Sequence, residues 1–158
     1  MLLLALDTAT AAAAVALHDT GRVLAAVRSP EARRHAETLV PAVAEVLERA
    51  GRERSEITDI AVGVGPGPFT GLRVGMVTAL SLGFVLGARV HGVCSLDAVA
   101  AEALATGAVG PGEEFVVATD ARRREVHWAR YGGVPLRRLA GPAVGAAADV
   151  PREGLRVV

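Results

Sequence analysis

Two stretches of this 158-residue chain carry residue types that could bind a phosphate or orient a metal-bound water. The first is Asp7, which ends an apolar run and is followed by Thr8. The alternative, which we favour, is that Asp7 caps the turn between two strands. Asp120 stands in the same relation to a second predicted hairpin. Asp7, Thr8 and Asp120 are therefore the candidate cofactor-binding residues, with the two aspartates as pseudo-equivalent positions.

The second stretch is the loop at 63–73, with the sequence GVGPGPFTGLR, between a predicted strand and a predicted helix. Glycine-rich loops in that place often hold phosphates through backbone N–H groups and the helix dipole. However, Pro66 and Pro68 have no N–H to donate. We therefore favour a structural turn, in which the glycines permit positive φ angles and close packing.

The helix that follows this loop has a small residue at every fourth position: Gly71, Gly75, Ala79, Gly83 and Gly87. Such a ridge lets another backbone approach closely. Because glycine costs about 1 kcal/mol per helix position relative to alanine, its repeated use suggests a gain in packing. The neighbour is either the sheet of the same domain or a helix of another subunit, and the spacing does not decide between them.

No set of residues in the sequence forms a convincing catalytic or metal centre. His35 opens a predicted helix, but Leu39 stands where a second imidazole would complete a helical metal pair. The chain has no Lys, which excludes a Walker A loop and a Schiff-base enzyme. Cys94 is the single cysteine, which excludes an intrachain disulfide and a cysteine-based zinc site and favours the cytoplasm.

Composition and charge indicate one domain or two small lobes with a packed core. Hydrophobic residues make up 51% and charged residues 22%, with formal net charge zero. A neutral chain lacks the bulk electrostatic attraction of a stand-alone nucleic-acid binder. The longest uncharged apolar stretch, Val74–Ala88, falls short of the roughly 20 residues that span a bilayer. We expect it to form a buried helix.

The pattern of apolar residues and turns predicts mixed α/β structure, with a first lobe at 1–106 and a second at 107–158. We expect helices over His35–Ala50, Thr70–Leu86 and Ser95–Thr106, the last with Ser95 as its N-cap. The predicted strands lie at 2–8, 12–18, 23–28, 57–64, 90–93, 115–121, 125–131 and 155–158.

Several motifs together resemble the TsaB family, also called YeaZ, of bacterial proteins that make threonylcarbamoyladenosine in tRNA. They are LALDTAT at 4–10, His35 before an amphipathic helix, GVGPGPFTGLRVG at 63–75, and TDAR at 119–122 with EVHW at 125–128. The resemblance runs in order along essentially the whole chain. It implies an actin-like (ASKHA, ribonuclease H-like) fold of two lobes with mixed sheets. Family members run longer, so it also implies an incomplete second lobe here.

The resemblance implies a non-catalytic, cytoplasmic subunit that activates TsaD, the threonylcarbamoyl-transferring paralogue, together with the ATPase TsaE. It implies a homodimer in isolation, indirect contact with tRNA, and no nucleotide bound by the chain alone, with ATP or ADP at the complex with TsaD. It also implies pairing through first-lobe helices. We expect the interface to include His35, Leu39, Val43, Leu47, Gly71, Gly75, Ala79 and Gly83.

A second function class stays open. An actin-like enzyme could act on a nucleotide or acyl-adenylate in a cleft between the lobes, with Asp7 and Asp120 as its polar groups. Turnover of ATP by the isolated chain would distinguish an enzyme from an activating subunit.

Overall fold

The computed structural model describes residues 1–29 and 35–158, and only the backbone of His35 and Ala36. It confirms the mixed α/β class. The strands are β1 (Leu2–Asp7), β2 (Ala14–Asp19), β3 (Arg22–Arg28), β4 (Asp59–Gly63), β5 (Arg89–Val93), β6 (Gly112–Arg122), β7 (Glu125–Gly133), β8 (Arg137–Ala146) and β9 (Arg156–Val157). The helices are α1 (His35–Ala50), α2 (Phe69–Leu86) and α3 (Ser95–Ala105).

The first compact unit, Met1–Val93, contains a five-stranded sheet in the order β3-β2-β1-β4-β5. β2 pairs antiparallel with both β1 and β3, as expected for a meander, whereas β4 and β5 run parallel to β1. The parallel pairing places Leu3 beside Asp59 and Leu6 beside Val62. Consequently, the C-terminal ends of β1 and β4, at Asp7 and Gly63, lie side by side at one end of the sheet.

The core of the first unit lies between one face of this sheet and the two helices. Strand side chains alternate between the two faces of a sheet, so every second residue of β1 points into the core. The buried cluster joins these strand residues to α1 and α2; it includes Leu2, Leu4, Leu6, Val15, Leu17, Leu39, Val43, Val46, Leu47, Ile60, Val62 and Ala79. Both helices are thus fixed to the sheet along one face each.

The second compact unit, Cys94–Val158, contains a four-stranded sheet in the order β8-β7-β6-β9. Its core joins Leu96 and Ala100 of α3 to Phe115 of β6 and Tyr131 of β7, whose rings stack with centroids 5.8 Å apart. Because α3 packs on this sheet, the second unit begins at Cys94, before α3, and not at residue 107 as the sequence suggested.

Three details differ from the sequence-based expectations. The ten-residue strand β8 was not predicted. Cys94, and not Ser95, is the N-cap residue of α3, so Ser95 is the first helical residue. The helix α2 is buried along one face only. Among the described helices, α2 alone has the length and composition that would suit a membrane span, and 22% of it is buried. Core helices of globular proteins often have the same length and composition.

Candidate functional site

Asp7 and Thr8 form a tight turn where β1 ends. The Oδ1 atom of Asp7 accepts a hydrogen bond of 2.6 Å from the backbone N–H of Ala9, two residues on. This bond is the Asx-turn pattern, in which a carboxylate replaces a backbone acceptor. Thr8 is fully buried and its Oγ1 donates to the carbonyl of Gly71 at 2.8 Å. Thr8, which the sequence offered as a candidate for cofactor binding, thus has its hydroxyl engaged in fixing α2 to the end of β1.

The glycine–proline loop packs closely against this turn. A Cβ atom on Gly67 would lie 2.9 Å from both Cα and Cβ of Ala9, closer than real Cβ contacts come. Gly65 has a φ of +100°, which glycine adopts at no steric cost. Pro68 is the N-cap residue of α2, with no side-chain hydrogen bond to the helix. These contacts support the structural interpretation of the loop over a phosphate cradle.

The ridge of small residues on α2 faces the sheet of its own unit. Gly71, Gly75, Ala79 and Gly83 are all buried. A Cβ on Gly75 would overlap Oγ1 of Thr8, and one on Gly83 would overlap Cγ2 of Val90. The close neighbours of the ridge are therefore the end of β1, at Thr8, and β5, at Val90. The expectation that these four residues form a partner interface needs correction, because they are not on the surface.

The residues of α1 that we expected at the interface are also in the core. Leu39 has no exposed surface, and Val43 and Leu47 are 7% and 8% exposed, all within the cluster that contains Leu4 and Ile60. Their apolar periodicity marks the inward face of the helix. The side chain of His35 lies outside the described part of the chain.

The opposite face of α2 presents large apolar side chains to solvent. Phe84 is 90% exposed, and this outer face comprises Phe69, Val77, Leu80, Phe84 and Val85, which are 58–90% exposed. Arg73 joins it, with its guanidinium carbon 5.3 Å from the centre of the Phe69 ring. We call this set the outer face of α2. Exposed apolar side chains that cluster on one face in this way often mark an interaction site.

Asp120 repeats the local geometry of Asp7 in the second unit. Its Oδ1 accepts a hydrogen bond of 2.9 Å from the backbone N–H of Arg122, again two residues on. Asp120 is exposed near the end of β6 and precedes the turn into β7. In both units the aspartate therefore stabilises a turn, which is the interpretation that the sequence favoured.

A polar cluster that the sequence analysis missed lies at the other end of the first sheet. Asp59 is buried and accepts hydrogen bonds from Arg89, whose Nε is 2.9 Å from Oδ1, and from Oγ1 of Thr58 at 2.8 Å. Its Oδ1 lies 3.0 Å from Nε2 of His91. The bonds from Arg89, His91 and Thr58 hold the pKa of Asp59 well below its usual range. Cross-strand pairing of β4 with β5 creates this cluster, which a linear motif does not show.

A second polar cluster joins α3 to the second sheet. The hydroxyl of Tyr131 donates to Oδ1 of Asp97 at 2.7 Å, and Arg138 donates to the same oxygen at 3.1 Å. Burial, and then the bond to Asp97, raise the pKa of Tyr131 above its usual range. This arrangement holds α3 on β7 and β8.

Residues 1–29 and 35–158 contain no group of three His, Cys, Asp or Glu placed to hold a metal ion. Cys94 is partly buried and contacts the apolar cluster of the second unit. Of the described surfaces, the outer face of α2 is the feature that packing within the chain leaves unexplained.

Comparison with known proteins identifies the family. The model "TsaD: tRNA N6-adenosine threonylcarbamoyltransferase" matches residues 23–155. An uncharacterized protein of Mycobacterium tuberculosis is 48% identical over 151 residues, which cover 93% of this chain and 66% of that protein. The tRNA threonylcarbamoyladenosine biosynthesis protein TsaB of Escherichia coli is 37% identical over 133 residues, covering 83% of this chain and 55% of that protein.

Solved structures agree with the actin-like fold. YeaZ from Pseudomonas aeruginosa superposes with a TM-score of 0.82 at 36% identity, covering 94% of this chain and 68% of that one. A ROK hexokinase from Thermus thermophilus shares the fold, with a TM-score of 0.54 at 23% identity and coverage of 89% of this chain and 49% of that one.

The chain spans between 40% and 66% of the length of the first relatives it matches, which share 48% of the aligned residues. The resemblance to TsaB is nonetheless confirmed by the named relatives, the superposition and the family model together. The chain therefore belongs to the family that the TsaD model describes, and TsaB (YeaZ) proteins are its relatives within that family.

Proposed function

We propose that this chain is a cytoplasmic, non-catalytic subunit that binds and activates a TsaD-type partner in making threonylcarbamoyladenosine in tRNA. The observation that carries the proposal is the outer face of α2, where Leu80 is 60% and Phe84 90% exposed. Exposed aromatic and aliphatic side chains on one helix face lose contact with water when a partner covers them, which favours association.

A TsaD-type protein suits this face because it belongs to the same family as this chain. A tRNA N6-adenosine threonylcarbamoyltransferase of Desulfovibrio desulfuricans is 32% identical over 168 residues, covering 94% of this chain and 46% of that protein. We infer that such a partner has a helix equivalent to α2 and that the two helices pack against each other. In the absence of the partner, a second copy of this chain would occupy the same face. TsaE and tRNA would join through the complex.

The local geometry supports a non-catalytic role. The Asp7 carboxylate accepts the Ala9 amide and the Thr8 hydroxyl is buried against Gly71, so both polar groups stabilise the turn. We accordingly propose that the isolated chain binds no nucleotide and that ATP or ADP binds only in the complex with TsaD.

The test compares two substitutions on the outer face of α2, Leu80→Asp and Phe84→Asp, with Val134→Asp as control. Val134 is 79% exposed but lies outside α2, between β7 and β8. Exposed positions tolerate substitution within about 0.5 kcal/mol, so all three variants should remain folded. We expect both α2 variants to lose self-association and binding to TsaD from the same organism, and the control to keep them.

The functional measurement is threonylcarbamoyladenosine formation by TsaD, TsaE and a tRNA transcript, with and without this chain. Stimulation by the wild type and by Val134→Asp, but not by Phe84→Asp, is the expected result. If Phe84→Asp stimulates as well as the wild type, docking through the outer face of α2 is wrong. If the wild type does not stimulate, the proposed activating role is wrong.

A further inference from the structure

The turn between β6 and β7 has three consecutive arginines in the left-handed backbone region. The φ angles of Arg122, Arg123 and Arg124 are 65°, 53° and 67°. Arg122 pairs with Glu125, so Arg123 and Arg124 are the two central residues of a two-residue hairpin turn. With φ positive at both central positions, this is the type I′ geometry, for which Asn-Gly is strongly preferred. A side chain with a Cβ is disfavoured there.

Elsewhere in the described chain, positions with a positive φ are mostly occupied by glycine. Across residues 1–29 and 35–158, nine glycines adopt positive φ, and Thr20 is the one non-glycine besides the three arginines. The chain has 18 glycines, so glycine is available to it at turns. The arginines at this turn therefore weaken the hairpin, and a role outside the hairpin would explain their presence.

The three side chains, which we call the arginine tip, are exposed. Asp120, the preceding acidic residue, uses one carboxylate oxygen to accept the backbone N–H of Arg122. Glu125 is the cross-strand partner of Arg122. Arg123 and Arg124, at the very end of the hairpin, form no ion pair with any residue that the structure describes. The tip thus presents two exposed guanidinium groups that have no ion-pair partner among the described residues.

We propose that the arginine tip binds phosphate groups of the tRNA backbone, which adds a direct contact to the indirect one that the resemblance implies. A guanidinium donates two parallel N–H bonds to a phosphate, and it is more weakly hydrated than an ammonium group. Contacts of this kind position a nucleic acid without reading its sequence. The inference rests on the proposed function, because that function brings this chain together with tRNA, which is a polyanion. Since the net charge of the chain is zero, the contact is local and weak on its own.

The variant Arg123→Asn/Arg124→Gly separates this role from a structural one, because it installs the preferred turn sequence while removing both charges. The control, Arg54→Gln/Arg152→Gln, removes two exposed arginines elsewhere. Binding of a fluorescent tRNA transcript is measured by anisotropy across a salt series, and melting temperatures are recorded for each protein.

We expect the wild type and the control to bind tRNA with a dissociation constant of about 10⁻⁴–10⁻⁶ M at physiological salt. The Asn-Gly variant should melt at a higher temperature yet bind on the order of tenfold more weakly, with the slope of log K against log salt reduced by about 1–2. A gain in stability together with a loss of affinity is the result that a purely structural turn would not give.

The inference is overturned if the wild type does not bind tRNA, or if the Asn-Gly variant binds as tightly as the control. It is also overturned if the variant keeps its tRNA affinity but loses association with TsaD, since the tip would then contact an acidic protein surface. Failure of the proposed function is a different result: TsaD does not associate with the wild type, whereas tRNA binding still depends on the tip.

Discussion

Gly75 on α2 lies so close to Thr8 on the β1–β2 turn that a Cβ atom at position 75 would overlap the Thr8 Oγ1 atom. The hydroxyl cannot move away without losing its 2.8 Å hydrogen bond to the carbonyl of Gly71. The contact between helix and sheet in the first unit thus depends on having no side chain at residue 75.

The substitution Gly75→Leu should therefore destabilise the folded chain itself, and not only weaken its association with a partner. Overpacking a core costs typically about 1–3 kcal/mol and occasionally more. The gain of about 1 kcal/mol in helix propensity offsets only part of it. We expect a lower free energy of unfolding in urea, with the control Gly145→Ala unchanged because nothing lies within 4 Å of a Cβ there.

The same contact predicts coupling between positions 8 and 75. Thr8→Ala removes the overlapping oxygen, so it should cost less stability in a Gly75→Ala background than in the wild type, with an interaction energy of about 0.5–3 kcal/mol. Additive effects of the two substitutions in urea denaturation would show that the two residues do not meet.

Tyr131 should resist alkaline titration until the second unit unfolds. It is the single tyrosine of the chain, so the near-ultraviolet absorbance of tyrosinate reports on it alone. Burial and the bond to Asp97 raise the pKa of Tyr131 in the folded state, so its contribution to stability is fully present below about pH 10, the ordinary pKa, and is lost as pH rises further. Tyrosinate should therefore appear together with the loss of circular dichroism.

The matched variant is Tyr131→Phe, which keeps the ring and removes the hydroxyl. It should lose about 1 kcal/mol of stability at neutral pH, the typical contribution of one hydrogen bond. The destabilisation of the wild type above pH 10 should become shallower in this variant. Tyrosinate absorbance that rises near pH 10 in a folded wild-type chain would contradict the burial of this hydroxyl.

Asp59 should make the stability of the first unit decrease at acidic pH. Its hydrogen bonds with Arg89, His91 and Thr58 lower the pKa of its carboxyl group in the folded state. A carboxyl group with a lowered folded pKa stabilises the fold above its unfolded pKa of about 3.9, and that contribution is lost as pH falls below this value. In Asp59→Asn the fall in melting temperature below about pH 4 should be smaller than in the wild type. The exposed Asp149→Asn serves as control.

The isolated chain should show neither threonylcarbamoyl transfer nor peptidase activity. The Asp7 carboxylate is bound to the Ala9 amide, so Asp7→Ala should lower stability by about 0.5–1.5 kcal/mol, whereas Asp7→Asn keeps an acceptor and should lose less. Metal-dependent turnover by the pure wild-type chain that disappears in Asp7→Ala would contradict this prediction and support the actin-like enzyme instead.

Much of the fold follows from patterns that local physics fixes. The apolar periodicity of α1 and the short apolar run before Asp7 predict elements that the structure contains. β8 escaped prediction because its last seven residues, from Ala140 to Ala146, are mostly small and show no alternation. Its pairing with β7, which is a tertiary contact, makes it a strand.

The orientation of α2 could not be predicted because both of its faces are apolar. A helix that is hydrophobic all round gives no direction toward the core from periodicity alone. The four-residue spacing of small residues indicated close packing, and the contacts at Gly75 and Gly83 show that the atoms nearest to them are side-chain atoms of the same unit, on Thr8 and Val90. The bulky residues on the opposite side of the helix, such as Phe84, are thereby left exposed.

The two faces of α2 should consequently accumulate mutations in different ways. On the inner face, at Gly75 and Gly83, an added Cβ atom would overlap Thr8 or Val90, so the limit there is steric and persists as long as the chain folds. On the outer face, at Leu80 and Phe84, the fold sets no such limit. A lineage that lost its partner would keep the glycines and replace the exposed phenylalanine and leucine with polar residues within a few substitutions. A comparison of α2 between two lineages would thus show, at each position, whether folding or association has been under selection.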